Sequence, residues 1–152
     1  MPVATRRRNL EALRHRLHAR CLLCGEENAH GFKLCFHPSP EGGVEAVFAC
    51  RKMHEGYPDQ LHGGVIASLL DSAMTNCLFS HGVEARTAEL NVRYHHPVDV
   101  HQPIVLRAVK ASGRGRLHHL RAELSQAGRI RASAEAKFIS GVGAPGTAGG
   151  TA

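Results

Sequence analysis

The longest apolar segment of the chain begins with a glycine pair, Gly63 and Gly64. It carries a single acidic residue, Asp71, beside a wide apolar face. Gly82 follows the segment, and a glycine in that place commonly ends a helix. The pattern therefore predicts one long helix over residues 63–80.

Much of the remaining chain alternates apolar and polar residues, which is the pattern of half-buried strands. Two such segments come before the long helix and four come after it, with turn-forming residues between them. The predicted strands are 32–37, 44–50, 86–94, 104–111, 116–124 and 130–139. Short links favour antiparallel neighbours. We therefore expect an α+β domain in which one antiparallel β-sheet wraps around one long central α-helix.

The apolar arc of the long helix covers well over a third of its circumference. Ser68, Ser72 and Thr75 hold the opposite side, and Asp71 lies at the border. An apolar arc this wide exceeds what one sheet face needs. The excess is expected to meet a second copy of the chain, which would put Asp71 at or near a subunit interface.

The two ends of the chain differ from its middle. Residues 1–20 are strongly basic, with leucines at helical spacing, so we expect a solvated amphipathic helix lying against the domain. Residues 140–152 are mainly small, with little to bury, and are expected to be a disordered Gly/Ala-rich tail. The folded domain is then 21–139.

Composition narrows the function. The chain has 152 residues, a formal charge of +6 and a pI near 9.4, which indicates one domain with an anionic partner. With no Trp and two Tyr, it lacks the aromatic residues of a single-strand nucleic-acid binder. The five cysteines are an odd number and no secretory signal precedes them, so we expect reduced thiols and a cytoplasmic protein. No apolar run is long enough for a membrane span.

The spacing of Cys21 and Cys24 suits a metal knuckle or a redox pair. A zinc site needs a second pair of ligands, and none follows at standard spacing. His30, Cys35 and His37 are near in sequence but fall in the first predicted strand or just before it. A structural turn is therefore favoured, and no metal ligand is assigned.

The start of the long helix has its own chemistry. Its first N–H groups lack partners and carry the positive end of the dipole, and Gly63 and Gly64 leave them uncovered. A carbonyl oxygen can therefore be polarised there, with Asp71 as the base or nucleophile. Seven residues separate Gly64 from Asp71, about 10 Å along a helix. One carbonyl reaches both groups only if two antiparallel copies meet.

The motif His62-Gly63-Gly64, with an acidic residue nine positions after the histidine, resembles the hotdog-fold acyl-CoA thioesterases of the phenylacetate-pathway (PaaI-like) type. Three other stretches resemble segments of the same family. They are Cys21–Phe32, His54–Pro58 and Thr87–Pro97. The resemblance extends from about Cys21 to Ile139 and implies the hotdog fold.

By position, the resemblance implies a role for four residues. Asp71 matches the catalytic carboxylate, and Gly64 matches the residue whose N–H polarises the thioester carbonyl across the dimer interface. His62 matches the motif histidine that shapes the helix start. Thr87 matches a Ser/Thr position that in some members helps to place the attacking water. No cofactor is implied, because coenzyme A enters as part of the substrate.

The sequence departs from the family pattern at Gly56, where many members carry Asn or Gln. Gln60 is the candidate substitute. Arginines at strand ends are candidates for the phosphates of coenzyme A. The candidate substrate-binding residues are Gly63, Gln60, Arg93, Arg114 and Arg116.

The expected function is a homodimeric or homotetrameric acyl-CoA thioesterase without a nucleic-acid or membrane partner. A non-catalytic acyl-CoA-binding protein or ligand sensor on the same fold is the alternative, and the departure at Gly56 keeps it open. Nucleic-acid binding through residues 6–20 is a weaker third hypothesis, which predicts a strongly salt-dependent affinity.

Overall fold

The computed structural model describes residues 1–143, and the greater part of the predicted tail lies outside them. In chain order the elements are α1 (Val3–Leu17), β1 (His37–Pro38), β2 (Val44–Phe48), α2 (Gly63–Ser80), β3 (Ala85–Tyr94), β4 (Ile104–Arg114), β5 (Leu117–Gln126) and β6 (Arg129–Ser140). A 3-10 turn, Lys52–His54, lies between β2 and α2. Neither helix of the described chain is long and apolar enough to cross a membrane.

The six strands form one antiparallel sheet in the order β1-β2-β4-β5-β6-β3. One face of the sheet packs against α2, which contacts every strand from β2 to β6. Alternate residues of β5 and β6 are buried in this core, and Phe138 of β6 is fully buried there. The predicted antiparallel sheet around one long helix is confirmed.

The segment 32–37 is not the strand that its alternation predicts. Only His37 and Pro38 join the sheet, as β1. Lys33 has a φ of 57°, and this left-handed backbone interrupts an extended strand. The N–H groups of Phe32 and Leu34 instead donate to the carbonyls of the preceding loop, Leu22 and Leu23. Local pairing with that loop thus replaces pairing with the sheet.

The polar side of α2 is covered within the same chain. Ser72, Thr75 and Asn76 are buried, since α1 packs against α2 on the side away from the sheet. The expectation that a second copy covers the excess surface is therefore wrong for the C-terminal half of the helix. Residues 63–68 differ, because all but Ile66 are half-buried or exposed.

Arg6 holds α1 in place. It belongs to the basic segment predicted to be solvated, yet it is only 2% exposed. Its guanidinium donates to the carbonyls of the β1–β2 turn, at Ser39, Gly42 and Gly43, and to Ser80 Oγ at the end of α2. One side chain thereby joins α1, the turn and α2.

We expect Arg6→Ala to lower the free energy of unfolding by about 3 kcal/mol, because it removes the charged hydrogen bonds to three carbonyls and to Ser80 Oγ. Arg7→Ala is the matched control. Arg7 is exposed in the same helix, so its loss should change stability by less than about 0.5 kcal/mol. Urea denaturation measures both variants, and equal stabilities would contradict this account of α1.

Candidate active site

His62 is the N-cap residue of α2. Its Nδ1 accepts a hydrogen bond from the Gly64 N–H at 2.8 Å, and its carbonyl accepts one from the Ile66 N–H at 3.0 Å. A side-chain acceptor at this position satisfies one of the unpaired N–H groups at a helix start. His62 therefore defines where α2 begins.

This cap affects the candidate oxyanion donor. The N–H of Gly64 is already donated to His62, so a carbonyl oxygen binds it only by sharing or replacing that bond. The neighbouring N–H groups of Gly63 and Val65 have no acceptor among residues 1–143. The start of α2 thus offers two free donors and one engaged donor at the positive end of the dipole.

Tyr94, at the end of β3, lies over the start of α2. Its hydroxyl donates to the Gly63 carbonyl at 2.8 Å. Its ring is so close that a Cβ on residue 63 would lie 3.5 Å from it. The sequence pattern places Tyr94 on a strand face but not at this site. Only the packing of β3 against α2 brings the two residues together.

The loop before α2 lines the same region. The Gly56 N–H donates to the Gln60 carbonyl at 2.9 Å, and a Cβ on Gly56 would lie 3.2 Å from His62 Cδ2. Glycine therefore fits here more easily than the Asn or Gln of the resembled pattern. Gln60 is exposed, and its backbone bridges to Asp99. A surface cleft of about 410 Å³ is lined by Gly56, Tyr57, Leu61, His62 and Gly63.

Asp71 lies near the middle of α2 and faces β3. Its Oδ1 accepts a hydrogen bond from Thr87 Oγ1 at 2.7 Å. The pairing of β3 with β6 shifts register between Thr87 and Glu89, which marks a β-bulge. Bulges change the direction of side chains and are common beside active sites. The bulge follows directly after the residue that meets the carboxylate.

Burial raises the pKa of Asp71, because it takes the charged carboxylate out of water. The Thr87 hydrogen bond opposes this shift. The Cys21 sulfur raises the pKa further and His18 lowers it. The result is a carboxylate that takes up a proton more readily than an exposed aspartate does, which suits a general base.

The structure forms two groups of candidate residues and does not join them within one chain. Asp71 and Thr87 form one group, and His62, Gly63 and Gly64 form the other. Seven residues of α2 separate Gly64 from Asp71, which is about 10 Å along the axis.

The three candidate arginines lie at opposite ends of the sheet. Arg114 and Arg116 lie at the β4–β5 turn, at the end of the sheet where β3 begins. Arg116 Nε donates to the Ser140 carbonyl at 2.8 Å. Arg93 is exposed and precedes Tyr94, so it alone of the three shares the sheet end with the start of α2.

Comparison with known proteins shows which proteins this chain resembles. Residues 60–133 match the model of the thioesterase superfamily. Mouse acyl-coenzyme A thioesterase THEM4 is 36% identical over 83 residues, which are 54% of this chain and 36% of that protein. The chain therefore spans about a third of the length of this curated relative.

Two solved structures share the fold. The thioesterase superfamily protein RHA08564 is 28% identical, with a TM-score of 0.76 over 80% of this chain and 60% of that one. The PaaI protein of E. coli is 15% identical, with a TM-score of 0.75 over 93% of this chain and 96% of that one. The chain therefore carries a hotdog fold, and its residues 60–133 are similar to the thioesterase superfamily.

Proposed function

We propose that the protein is an acyl-CoA thioesterase, which hydrolyses a CoA thioester to a free acid and coenzyme A. The observation that carries this proposal is the partly buried carboxylate of Asp71, held by Thr87 at 2.7 Å on the long helix of a thioesterase domain. An acyl-coenzyme A thioesterase among the relatives supports the same substrate class.

Asp71 acts as general base or as nucleophile. The Thr87 hydroxyl occupies Oδ1, so Oδ2 is left to face the reaction. As a base, it takes a proton from water while the water oxygen attacks the thioester carbonyl. The C–S bond then breaks, and the departing thiolate takes the proton back. No cofactor takes part in this scheme, and coenzyme A enters only as part of the substrate.

The carbonyl is polarised by the start of α2 of a partner subunit. β3 is an edge strand of ten residues, and it lies beside the less covered half of α2. Antiparallel pairing of two β3 edges would satisfy both rows of backbone groups and run the two α2 helices in opposite directions. This supports a homodimer, and a homotetramer built from two such dimers is a further proposal, as is a cytoplasmic location.

Binding of acyl-CoA without hydrolysis is the second candidate function. Two observations favour it: Gly56 stands where the resembled enzymes carry an amide, and His62 occupies the Gly64 N–H. A panel of acyl-CoAs with a thiol reagent separates the two functions. Thiol release that scales with protein supports hydrolysis, whereas saturable binding without release supports a sensor.

We expect Asp71→Asn to reduce kcat/KM for thioester hydrolysis by about 10²- to 10⁴-fold, the usual contribution of a general base. Asparagine has nearly the same shape and still accepts the Thr87 hydrogen bond. Substrate binding should therefore be retained, as measured by calorimetry with a CoA thioester. Unchanged hydrolysis would reject Asp71 as the catalytic carboxylate.

The same variant should be more stable than the wild type at neutral pH. A raised pKa in the folded state means that folded Asp71 holds its proton more tightly than unfolded Asp71. This residue therefore lowers wild-type stability as pH rises from the unfolded to the folded pKa. The advantage of Asp71→Asn in urea unfolding should be full above that window and absent below it. An advantage that is equal at acidic and neutral pH would contradict the assigned cause.

Thr87→Val should move the acidic limb of the kcat/KM profile to higher pH. The Thr87 hydroxyl lowers the pKa of Asp71, so without it burial raises that pKa further. Thr87→Ser retains the hydroxyl and is the control, whose limb should stay at the wild-type position. A limb that does not move in Thr87→Val means that the profile reports another group.

Mixed dimers test whether one site uses two subunits. Gly64→Pro removes the N–H donor, and proline is tolerated in the first helical turn. We expect Asp71→Asn and Gly64→Pro to be nearly inactive alone. Mixed by refolding, they should regain about a quarter of wild-type activity, since half of the dimers are mixed and each has one intact site. Recovery near zero, with mixed dimers detected by mass spectrometry, would place each site within one chain.

A further inference from the structure

Three metal-binding side chains meet where α1 ends. His18 is the C-cap residue of α1, and Cys21 and Cys24 lie in the turn that follows. Their ligand atoms all lie within 4.8 Å of one another. Within residues 1–143, no other group of three His, Cys, Asp or Glu residues comes together in this way. The proposed hydrolysis does not use this cluster.

The spacing of the atoms suits a tetrahedral zinc ion. Cys24 Sγ lies 3.5 Å from His18 Nδ1. With Zn–S near 2.3 Å and Zn–N near 2.1 Å, the sulfur and nitrogen ligands of a tetrahedral zinc are about 3.6 Å apart. Both cysteines are free thiols. The donor set of two sulfurs and one imidazole nitrogen is typical of zinc sites.

The turn itself holds the two sulfurs on one side. The Leu23 N–H donates to Cys21 Sγ at 3.4 Å, and the Gly25 N–H donates to the Cys21 carbonyl at 3.0 Å. A Cβ on Gly25 would lie only 2.4 Å from the Cys21 backbone nitrogen. The chain therefore folds back on itself so tightly that only glycine fits after Cys24.

The surroundings of the cluster are rigid. Cys24 is 1% exposed, and the His18 ring packs edge-on against Phe79 of α2, with centroids 5.0 Å apart. Asn76 of α2 is wholly buried beside Cys24. Its Oδ1 has no hydrogen-bond partner among the described residues.

We propose that His18, Cys21 and Cys24 bind one zinc ion, with a water or another small ligand in the fourth position. The ion ties the end of α1 and the turn after it to the central helix. The role of the ion is structural, and this proposal does not depend on the proposed hydrolysis.

A redox pair fits the same cysteines less well. Reactive Cys-x-x-Cys pairs lie at the start of a helix, where the dipole stabilises the thiolate. Here Cys21 and Cys24 follow a helix end and lie in a turn, and Cys24 is buried. The sequence alone favours a structural turn, because no second pair of ligands follows the two cysteines at standard spacing. The completing residue, His18, comes before the pair, in the spacing His-x2-Cys-x2-Cys.

The full tag-free chain, kept reduced, is loaded with zinc and dialysed against a weak chelator before its metal is counted by mass spectrometry. We expect about one zinc per chain. Cys21→Ser and His18→Ala should each retain less than about a tenth of that zinc. Cys35→Ser is the control, because Cys35 is an exposed cysteine outside the cluster, and it should bind as the wild type does.

Two further measurements make the outcome decisive. Cobalt in place of zinc should show thiolate charge-transfer bands and the intense visible bands of a tetrahedral site, and Cys21→Ser should lose them. Zinc should raise the Tm of the wild type but not that of Cys21→Ser. The half-exposed position of Cys21 lets this variant fold, which circular dichroism checks. Reduced wild type without stoichiometric zinc, or with only octahedral cobalt spectra, overturns the proposal.

Discussion

The structure depends on the enclosure of α2. The sheet covers one side of this helix and α1 covers the other, so its residues from Ser72 to Ser80 are all buried. Because α2 is enclosed on both sides, it buries polar side chains whose hydrogen bonds must be made within the helix itself. The Thr75 hydroxyl and the Asn76 Nδ2 group donate to carbonyls one turn earlier, at Asp71 and Ser72. Arg6 completes the enclosure, because its hydrogen bonds connect α1 to the end of α2.

The proposed active site lies where this enclosure stops. Asp71 is the last residue before the fully buried half of α2, so its carboxylate is desolvated enough to have a raised pKa and exposed enough to be reached. The hydrogen bond from Thr87 stabilises the charged carboxylate and so offsets part of this rise in pKa. Closer to its start, α2 keeps unpaired N–H groups and a glycine surface. In the proposed mechanism, one helix therefore serves both as core and as part of the active site.

Local periodicity predicted most of the fold. The bounds of α2 agree with the predicted 63–80, because an unbroken apolar segment between glycines has few other solutions. The strands after it agree to within a few residues. Two predictions failed because a single interaction outweighed the pattern. The backbone of Phe32 and Leu34 hydrogen-bonds to the turn after α1 instead of forming a strand, and Arg6 hydrogen-bonds to the β1–β2 turn instead of facing solvent. Neither contact leaves a periodic signal.

The sequence by itself determined the fold class, the long helix and the position of Asp71 on its margin, because these follow from spacing along the chain. Only the tertiary structure shows that Thr87 hydrogen-bonds to Asp71, that Tyr94 lies over Gly63, and that the Gly64 N–H donates to the His62 side chain. Only the tertiary structure also gathered His18 with the two cysteines. Each of these contacts depends on the direction of a side chain after packing, which a pattern along the chain does not contain.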